Sequence, residues 1–300
     1  MAYKSGFVTV IGRPNVGKST LLNSILGQKI AITSDKPQTT RKRIKGVYTT
    51  EKGQIVFIDT PGIHKPLYKL GEFLLEEAKI AIPDADVVLF LVDGTEPAGL
   101  GDKWIVQNLL GIDNPIILVI NKLDEIKNMQ KRDENIQTYK QLFGDKSIPV
   151  VKISAKTGRN KDTLIDNIYR KLPKGPQYYP EDIVTDQKTR EITEEIIREK
   201  LIINTEEEIP HGVAVVIDLF EDKESIIKIS ATIYTEHESQ KGIIIGNQGQ
   251  MIKKIGSQAR IEIEEMVDKK VFLELFVKVK KDWRKSADAL KGFGFSKNNC

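Results

Sequence analysis

The stretch Gly12-Arg13-Pro14-Asn15-Val16-Gly17-Lys18-Ser19 decides the fold expected for the first half of this 300-residue chain. It matches the pattern of a glycine, four residues, a glycine, a lysine and a serine or threonine that is typical of phosphate-binding loops. Glycines let the backbone curl until successive N–H groups point at a phosphate, and the following helix adds the positive end of its dipole. Residues 7–11 are predicted to form a buried strand before the loop, and residues 19–26 a helix after it.

The loop therefore predicts a nucleotide-binding site. Lys18 would contact the β- and γ-phosphates, and the Ser19 hydroxyl would ligate Mg²⁺. The strand before the loop and the helix after it favour this interpretation; the alternative is a glycine-rich turn that binds no ligand. The predicted contacts are the loop and the residue after it: Gly12, Arg13, Pro14, Asn15, Val16, Gly17, Lys18, Ser19 and Thr20.

The composition is that of a globular protein, with 40% hydrophobic and 29% charged residues. One cysteine, Cys300, excludes an intramolecular disulfide and agrees with a reducing compartment. The N-terminal residues show no apolar signal-peptide core, and no apolar run approaches the ~20 residues of a membrane helix. We therefore expect a cytoplasmic protein. The three histidines are scattered and predict no zinc site.

The net charge of +4 is unevenly distributed along the chain. Residues 1–175 hold 27 Lys and Arg against 19 Asp and Glu, whereas the remaining residues hold 19 against 23. Net charge alone argues against nucleic-acid binding by the second half, so the local distribution of charge must decide that question.

A polar, basic loop over residues 32–43 follows the first predicted helix. In a nucleotide hydrolase, a threonine in such a loop closes over Mg²⁺ and the γ-phosphate and is released after hydrolysis. Thr39 and Thr40 both qualify, and the sequence does not choose between them. The alternative is a solvated loop whose threonines have no such role.

A short apolar strand over residues 54–58 ends in Asp59-Thr60-Pro61-Gly62. An aspartate at the carboxyl end of a strand beside the phosphate loop is where a carboxylate for Mg²⁺ belongs, and the Gly62 N–H would sense the γ-phosphate. We list Lys18, Thr39, Thr40, Asp59 and Gly62 as candidate catalytic residues. The candidate metal site consists of Ser19, Thr39, Thr40 and Asp59.

Two further apolar runs, residues 87–92 and 116–120, are typical of parallel strands that are covered on both faces. The second is followed by Asn121-Lys122-Leu123-Asp124. Asp124 would accept two hydrogen bonds from guanine that adenine cannot donate, while Lys122 lies over the base and Asn121 ties the loops together. A strand ending at residue 153 leads to Ser154-Ala155-Lys156, whose backbone N–H groups would meet the guanine O6.

These four motifs, in this order and each at the end of a predicted strand, resemble those of the translation-factor-related GTPases. The resemblance implies GTP and GDP as ligands with Mg²⁺, in an α/β P-loop domain with a mostly parallel sheet and helices on both faces. One departure is Ile63, which stands where Ras-like members have a water-positioning glutamine. Ile63 cannot position a water, and its alternative role is to pack beneath the loop; in either case another group must position the water. Asn15 resembles an asparagine that helps related GTPases bind K⁺. We therefore expect slow intrinsic hydrolysis, accelerated by K⁺ or by a partner.

A linker is predicted over residues 174–186, which contain two prolines and a glycine and show no apolar period. It would join a GTPase domain (1–173) to a second domain (187–300). Apolar spacing predicts a helix over residues 186–203. Residues 212–220 and 226–235 are predicted to form antiparallel strands.

The second domain carries Gly246-Asn247-Gln248-Gly249, a Gly-x-x-Gly pattern between an apolar segment and a predicted helix. In KH domains this pattern lets a nucleic-acid backbone approach closely. Residues 241–260 contain no acid, and Ile243, Ile244 and Ile245 are expected to give an apolar floor for bases. The alternative is a helix–helix turn in a mixed-charge α+β domain. The predicted RNA contacts are Lys241, Ile243, Ile244, Ile245, Gly246, Asn247, Gln248, Gly249, Lys253, Lys254, Arg260, Lys280, Lys281 and Arg284.

The predicted order helix, strand, strand, helix, helix, strand, helix resembles a type II KH domain. One GTPase domain followed by such a domain, together with Pro37-Gln38-Thr39-Thr40-Arg41, is similar to the Era family of bacterial ribosome-assembly GTPases. The resemblance implies binding to the 3′ end of 16S rRNA and assistance to 30S subunit maturation. It also implies peripheral membrane association, for which no anchor is visible; a monomer is expected. Two alternatives remain open: a GTPase acting on a protein or membrane target, and an RNA-binding protein with a vestigial nucleotide site.

Overall fold

The computed structural model describes residues 2–33, 40–41, 43–62, 69–206 and 209–295. The chain divides into two compact units, and the main boundary between them lies between Asp186 and Gln187. Within the described residues, no helix has both the length and the apolar character needed to cross a bilayer.

The first unit is a six-stranded sheet with helices on both faces. The spatial order of its strands is β2-β3-β1-β4-β5-β6, with β2 antiparallel to β3 and every other pair parallel. This confirms the predicted P-loop α/β fold. The elements are β1 (Lys4–Ile11), α1 (Lys18–Leu26), β2 (Ile44–Thr50), β3 (Gly53–Asp59), α2 (Lys69–Ile80), β4 (Val87–Asp93), α3 (Leu100–Leu109), β5 (Ile116–Asn121), α4 (Met129–Gln141), β6 (Val150–Lys152) and α5 (Lys161–Lys171).

Both faces of this sheet are buried, which explains the continuous apolar runs in its central strands. Along β4, Val87, Leu89 and Leu91 join one hydrophobic cluster, and the alternate residues Val88 and Phe90 join the cluster on the other face. The parallel strands β3, β4 and β5 all run in one direction, so their carboxyl ends lie along one edge of the sheet. The polar residues that end these strands are thereby collected at that edge.

Residues 174–186 lie against strands of the first unit. The Gln54 side chain accepts hydrogen bonds from the backbone N–H groups of Tyr178 and Tyr179, at 2.8 and 2.9 Å. Further along, the Val47 N–H donates to the Val184 carbonyl at 2.8 Å. A segment without apolar periodicity is therefore held by backbone hydrogen bonds, which a composition argument does not reveal.

The second unit packs its helices on a three-stranded sheet in the order β7-β8-β9. β7 and β8 are antiparallel, and β8 and β9 are parallel. The elements are α6 (Thr189–Asn204), the one-turn α7 (Ile209–Gly212), β7 (Ala214–Asp222), β8 (Ile226–Thr235), α8 (Glu238–Ile245), α9 (Gln250–Val267), β9 (Lys270–Val279) and α10 (Ala287–Gly292). The predicted type II KH order is confirmed, with α7 as an addition.

Helix α9 shows why this unit folds as the spacing predicts. Ile255, Ala259 and Ile263 recur every four residues, are fully buried, and form the stripe that faces the sheet. The lysines at 253 and 254 lie outside that stripe and are exposed.

Candidate nucleotide site and nucleic-acid interface

The phosphate loop lies between β1 and α1, and its glycines are required by close contacts. Gly17 has a φ of 97°, and a Cβ on it would lie 2.4 Å from Asn121 Nδ2. A Cβ on Gly12 would lie 2.2 Å from the Leu91 carbonyl oxygen. A side chain at either position would displace the loop from the strand ends behind it.

Lys18 lies inside this loop. Its ammonium donates hydrogen bonds to the carbonyl oxygens of Gly12 and Arg13, at 3.2 and 2.9 Å. Burial lowers the pKa of Lys18 to about 8, although the charge of Asp59 opposes that shift. The loop therefore holds a buried cation whose hydrogen bonds go to two neutral carbonyl oxygens, which suits an anionic ligand.

Two hydroxyls and a carboxylate meet beside the loop. Ser19 Oγ donates to Asp59 Oδ2 at 2.7 Å and lies 2.9 Å from Thr40 Oγ1. Thr40 Oγ1 in turn donates to Asp59 Oδ2 at 3.5 Å. Thr39, the other candidate threonine, lies outside the described residues, as does Ile63.

The donor set of this cluster fits Mg²⁺. Among the described residues, Asp59 Oδ1 is buried without a hydrogen-bond partner, and all three side chains offer the hard oxygen atoms that Mg²⁺ prefers. Burial raises the pKa of Asp59, and the charge of Lys18 and the hydroxyls of Ser19 and Thr40 oppose the rise. A bound cation would favour the ionised carboxylate further.

The turn after Asp59 closes against the phosphate loop. A Cβ on Gly62 would lie 2.8 Å from Pro14 Cα, so only a glycine lets the two backbones approach. Thr60 is fully buried, and its hydroxyl donates to the Val10 carbonyl at 2.8 Å. Thr60 therefore anchors the turn to β1, and the structure gives it no surface for a ligand.

Asn121 connects three loops of the site. Its Nδ2 donates to the Val16 carbonyl and its Oδ1 accepts from the Ala155 N–H, both at 2.8 Å. Ser154 Oγ donates to one oxygen of the exposed Asp124 carboxylate at 2.6 Å. The loop that would recognise a base is thus tied to the loop that would bind phosphates.

Three acidic residues that the motifs do not include hold cations of the first site. Asp93, at the end of β4, pairs with Lys122 at 2.6 Å between Oδ2 and Nζ. Asp102, whose side chain is fully buried in α3, accepts a 3.0 Å hydrogen bond from Arg13 Nε, and Arg13 also pairs with Glu96. For Asp93 a signal was available, because an acid ends an apolar strand there as Asp59 does in β3.

In the second unit, the Gly-x-x-Gly turn joins α8 to α9. Gly246, Gln248 and Gly249 have φ values of 71°, 49° and 77°. A Cβ on Gly246 would lie 2.7 Å from Met251 Cβ, whereas one on Gly249 would have no atom of the described residues within 4 Å. Gly249 therefore faces open space at the N-terminus of the 18-residue helix α9, where backbone N–H groups favour an anion.

Comparison with known proteins agrees with this geometry. Residues 7–122 match the family model described as 50S ribosome-binding GTPase, and residues 208–284 match the KH domain model. The GTPase Era of Halothermothrix orenii is 50% identical over 296 residues, which cover 98% of this chain and 99% of that protein. This chain belongs to the Era family of GTPases.

Solved structures of Era extend the similarity to three dimensions. One is a crystal structure of Era in complex with MgGDPNP and nucleotides 1506–1542 of 16S ribosomal RNA; its TM-score is 0.94 at 40% identity, covering 98% of this chain and 99% of that one. Another, of a point variant of Aquifex aeolicus Era bound to GDP·AlF4⁻, has a TM-score of 0.93 at 40% identity, covering 98% and 99%.

Within this Era-family chain, the expected apolar floor is corrected by the structure. Residues 243–245 form the last turn of α8, in which successive side chains point about 100° apart. Ile244 is fully buried in the core, whereas Ile243 is 53% exposed and Ile245 is half-buried. Ile244 therefore has no surface on which a base would stack, and the three isoleucines do not share one face.

Two of the predicted RNA-binding arginines are held by carboxylates of the same unit. Arg260 donates to Glu264 at 3.1 Å, and Arg284 pairs with Glu236, whose side chain is only 5% exposed. The pair of Arg284 with Glu236 is largely buried and belongs to the interior of the domain, whereas the Arg260 side chain stays 42% exposed. The other predicted cations on this unit are exposed or partly exposed: Lys241, Lys253, Lys254, Lys280 and Lys281. The Lys280 Nζ also lies 4.8 Å from the centroid of the Phe293 ring.

Proposed function

We propose that this Era-family protein is a Mg²⁺-dependent GTPase switch that binds the 3′-terminal region of 16S rRNA through its KH domain and assists 30S subunit maturation. The observation that carries the proposal is the cluster of Ser19, Thr40 and Asp59 beside the buried Lys18, in a chain that also presents an open Gly-x-x-Gly turn. The RNA assignment is supported by the Era structure that contains nucleotides 1506–1542 of that RNA.

The phosphate site is proposed to work through charge and positioning. Lys18 and the N–H groups of the phosphate loop hold the β- and γ-phosphates, and Ser19, Thr40 and Asp59 hold Mg²⁺, which when bound neutralises phosphate charge. We propose Thr40 for the metal site because its hydroxyl already lies against Ser19 and Asp59.

The base site is proposed to select guanine. Asp124 accepts from the two donors of guanine, and adenine would leave the carboxylate without these two hydrogen bonds, which costs about 1–3 kcal/mol or more for a charged group. Ser154 holds the carboxylate in place through its 2.6 Å hydrogen bond. Asn121 sets the distance between the base loop and the phosphate loop. Lys122 lies over the base. Because the Ala155 N–H already donates to Asn121 Oδ1, the Lys156 N–H is the backbone donor proposed for the base.

The attacking water needs a group other than a glutamine, because the corresponding position is Ile63. We propose that K⁺ bound with the help of Asn15 compensates. Asn15 is exposed at the rim of the phosphate loop, with a φ of 63°. The test is to compare the rates of GTP hydrolysis in K⁺ and in Na⁺ at equal ionic strength. We expect a faster rate in K⁺, and equal rates would contradict a role for K⁺.

The RNA surface is proposed to centre on the Gly246–Gly249 turn. Gly249 admits the RNA backbone, and Lys253 and Lys254 are the fourth and fifth residues of α9, where they would meet its phosphates. Ile243 and Ile245 supply apolar contact, together with Asn247 and Gln248 of the turn. Lys241, Lys280 and Lys281 are proposed as outer phosphate contacts.

The domain division proposed from the sequence places the GTPase domain at 1–173, a connection at 174–186 and the KH domain at 187–300. The proposed start of the KH domain is supported by the boundary between the two compact units, which lies just before Gln187. We place the function in the cytoplasm and propose a monomer. Peripheral membrane association remains a prediction, and co-sedimentation with anionic vesicles tests it.

The experiment that tests the proposed function is binding of a labelled RNA of the 16S 3′ end with a GTP analogue, with GDP and without nucleotide. Gly249→Asp is the informative variant, because the open surroundings and left-handed backbone of Gly249 tolerate aspartate while its charge repels phosphate. Gly249→Asn is the matched control with the same shape and no charge.

We expect the GTP analogue to tighten RNA binding, and Gly249→Asp to weaken it at least tenfold more than Gly249→Asn does. If the RNA affinity is the same with the GTP analogue, with GDP and without nucleotide, the protein binds RNA but the proposed nucleotide switch is contradicted. Intact GTP hydrolysis without RNA binding would instead favour a protein or membrane target.

A further inference from the structure

The Lys122 side chain is held by an acid that belongs to a different strand. Asp93 ends β4 and is paired in register with Asn121, the residue before Lys122. The Lys122 Nζ lies 2.6 Å from Asp93 Oδ2. The side chains are 27% and 11% exposed, respectively, so water screens this ion pair less than it screens a surface pair.

Asp93 is itself fixed on its other side. Its Oδ1 accepts hydrogen bonds from the Thr95 N–H at 2.9 Å and from the Thr95 hydroxyl at 2.6 Å. Its carbonyl accepts a 3.0 Å hydrogen bond from the buried Tyr139 hydroxyl. Burial would raise the pKa of Asp93, but the hydrogen bonds from Lys122 and Thr95 outweigh it and lower the pKa. A rigid, ionised acceptor therefore stands at a defined place beside the base loop.

The backbone of Lys122 is also constrained. Its φ of 64° lies in the left-handed region, which is unfavourable for a residue with a side chain. The Glu125 N–H donates to the Lys122 carbonyl at 3.0 Å, and the Gly94 N–H donates to the Asn121 carbonyl at 3.0 Å. With the backbone and the ammonium both fixed, the methylene stem between them has little rotational freedom left.

We propose that Asp93 is a positioning residue of the guanine site, which holds the Lys122 ammonium so that the stem is already ordered as the surface on which the base lies. A free lysine side chain loses rotamer entropy when it is ordered, and ordering it before binding removes that loss from the binding step. This inference rests on the proposed binding of GTP and GDP at this site.

Asp93→Asn tests the contact selectively. Asparagine Oδ1 still accepts both hydrogen bonds from Thr95, whereas its Nδ2 would direct N–H donors at the ammonium of Lys122. The dissociation constants of fluorescent GDP and of a fluorescent GTP analogue are measured together with kcat and KM. We expect both dissociation constants to rise about tenfold, by a common factor, and kcat at saturating GTP to stay within twofold.

The double variant Asp93→Asn/Lys122→Met separates positioning from a general structural effect. If Asp93 acts through the ammonium, Asp93→Asn has no further effect on affinity once Lys122 is methionine. Asp133→Asn is the matched control, because Asp133 pairs with Lys152 at 3.5 Å on the surface of the same unit. It should leave both dissociation constants unchanged.

Unchanged affinity in Asp93→Asn would overturn the inference, as would an equal loss in the Lys122→Met background. Tighter binding would also overturn it, since Asp93 would then compete with the nucleotide for Lys122. If Asp93→Asn fails to fold, Thr95→Val, which removes one hydrogen bond to Asp93 Oδ1, should still raise both dissociation constants about threefold. If the wild-type protein binds no GDP, the proposed function itself fails, which is a different result.

Discussion

In the nucleotide site the residues predicted to bind metal and to join the loops bond to one another, whereas on the KH surface two predicted arginines bond to carboxylates outside the motif. Ser19, Thr40 and Asp59 form one cluster, and Asn121 joins the loops around it. On the KH unit, by contrast, Arg260 and Arg284 are paired with carboxylates of their own domain.

The difference follows from how each site is supported. Nucleotide-binding residues stand at the carboxyl ends of parallel strands, and the register of one sheet brings these ends together. A KH surface is formed by helix exteriors, where a cation is equally suited to a phosphate or to a neighbouring carboxylate. A motif therefore predicts contacts well in the first case, while in the second the neighbours in three dimensions decide which cations are available.

The largest effect is expected from replacing Lys18, the buried lysine of the phosphate loop. Lys18→Ala should lower kcat for GTP hydrolysis about 10³-fold, measured by phosphate release at saturating GTP and Mg²⁺, because the cation that stabilises the transferred charge is removed. Lys161→Ala is the control, since the Lys161 ammonium also donates to a backbone carbonyl, that of Ser24, outside the site. If Lys18→Ala keeps its GTPase activity, the motif has not identified a required residue, and the contrast between the nucleotide site and the KH surface is contradicted.

On the KH unit, Arg284→Met should lower the free energy of unfolding by about 3 kcal/mol, because it leaves the Glu236 carboxylate buried without its cation. RNA affinity of the folded variant should stay within twofold. Adding Glu236→Gln should restore much of the stability, since neither charge then remains. Denaturant titration and RNA titration measure the two quantities.

Lys254→Met is the matched change to Arg284→Met at an exposed lysine. It should leave the free energy of unfolding within about 0.5 kcal/mol of wild type and weaken RNA binding several-fold, with a salt slope reduced by about 1. If Lys254→Met proved destabilising and Arg284→Met selectively impaired RNA binding, the assignment of structural and binding cations on this unit would be reversed.

The two glycines of the KH turn should differ when each is replaced by alanine. Gly246→Ala should lower the free energy of unfolding by about 2 kcal/mol, because its left-handed backbone and the contact with Met251 Cβ both oppose a side chain. Gly249→Ala should cost about 1 kcal/mol, from the backbone alone. Thermal and denaturant unfolding compare them; equal costs would mean that the contact with Met251 is relieved by a small shift of the turn.

The smallest effect is a pH dependence of the nucleotide-free protein. Lys18 has a pKa of about 8 when folded and 10.5 when unfolded, so between these values the unfolded chain binds more protons and the free energy of unfolding rises with pH. We expect a gain of about 1 kcal/mol between pH 8 and 9. Lys18→Met should abolish this gain, as measured by urea unfolding at each pH; an unchanged profile in the variant would show that another group is responsible.

Much of the fold was predictable because its signals are local. The apolar runs at 87–92 and 116–120 predicted buried parallel strands, and both are confirmed. The Gly-x-x-Gly turn was recognised, but the apolar residues before it were expected to share one face. That prediction was wrong for Ile244, because a run of three apolar residues at a helix end points in three directions and one of them must enter the core.

By itself, the sequence determined the two folds, the order of their elements and the residue types that bind phosphate and base, because periodicity and motif spacing are properties of neighbouring residues. Only the tertiary structure decided which acid holds which cation: Asp93 with Lys122, Asp102 with Arg13 and Glu236 with Arg284. These partners are 29, 89 and 48 positions apart, respectively. Strand register and helix packing bring them together, and no local pattern in the chain encodes that proximity.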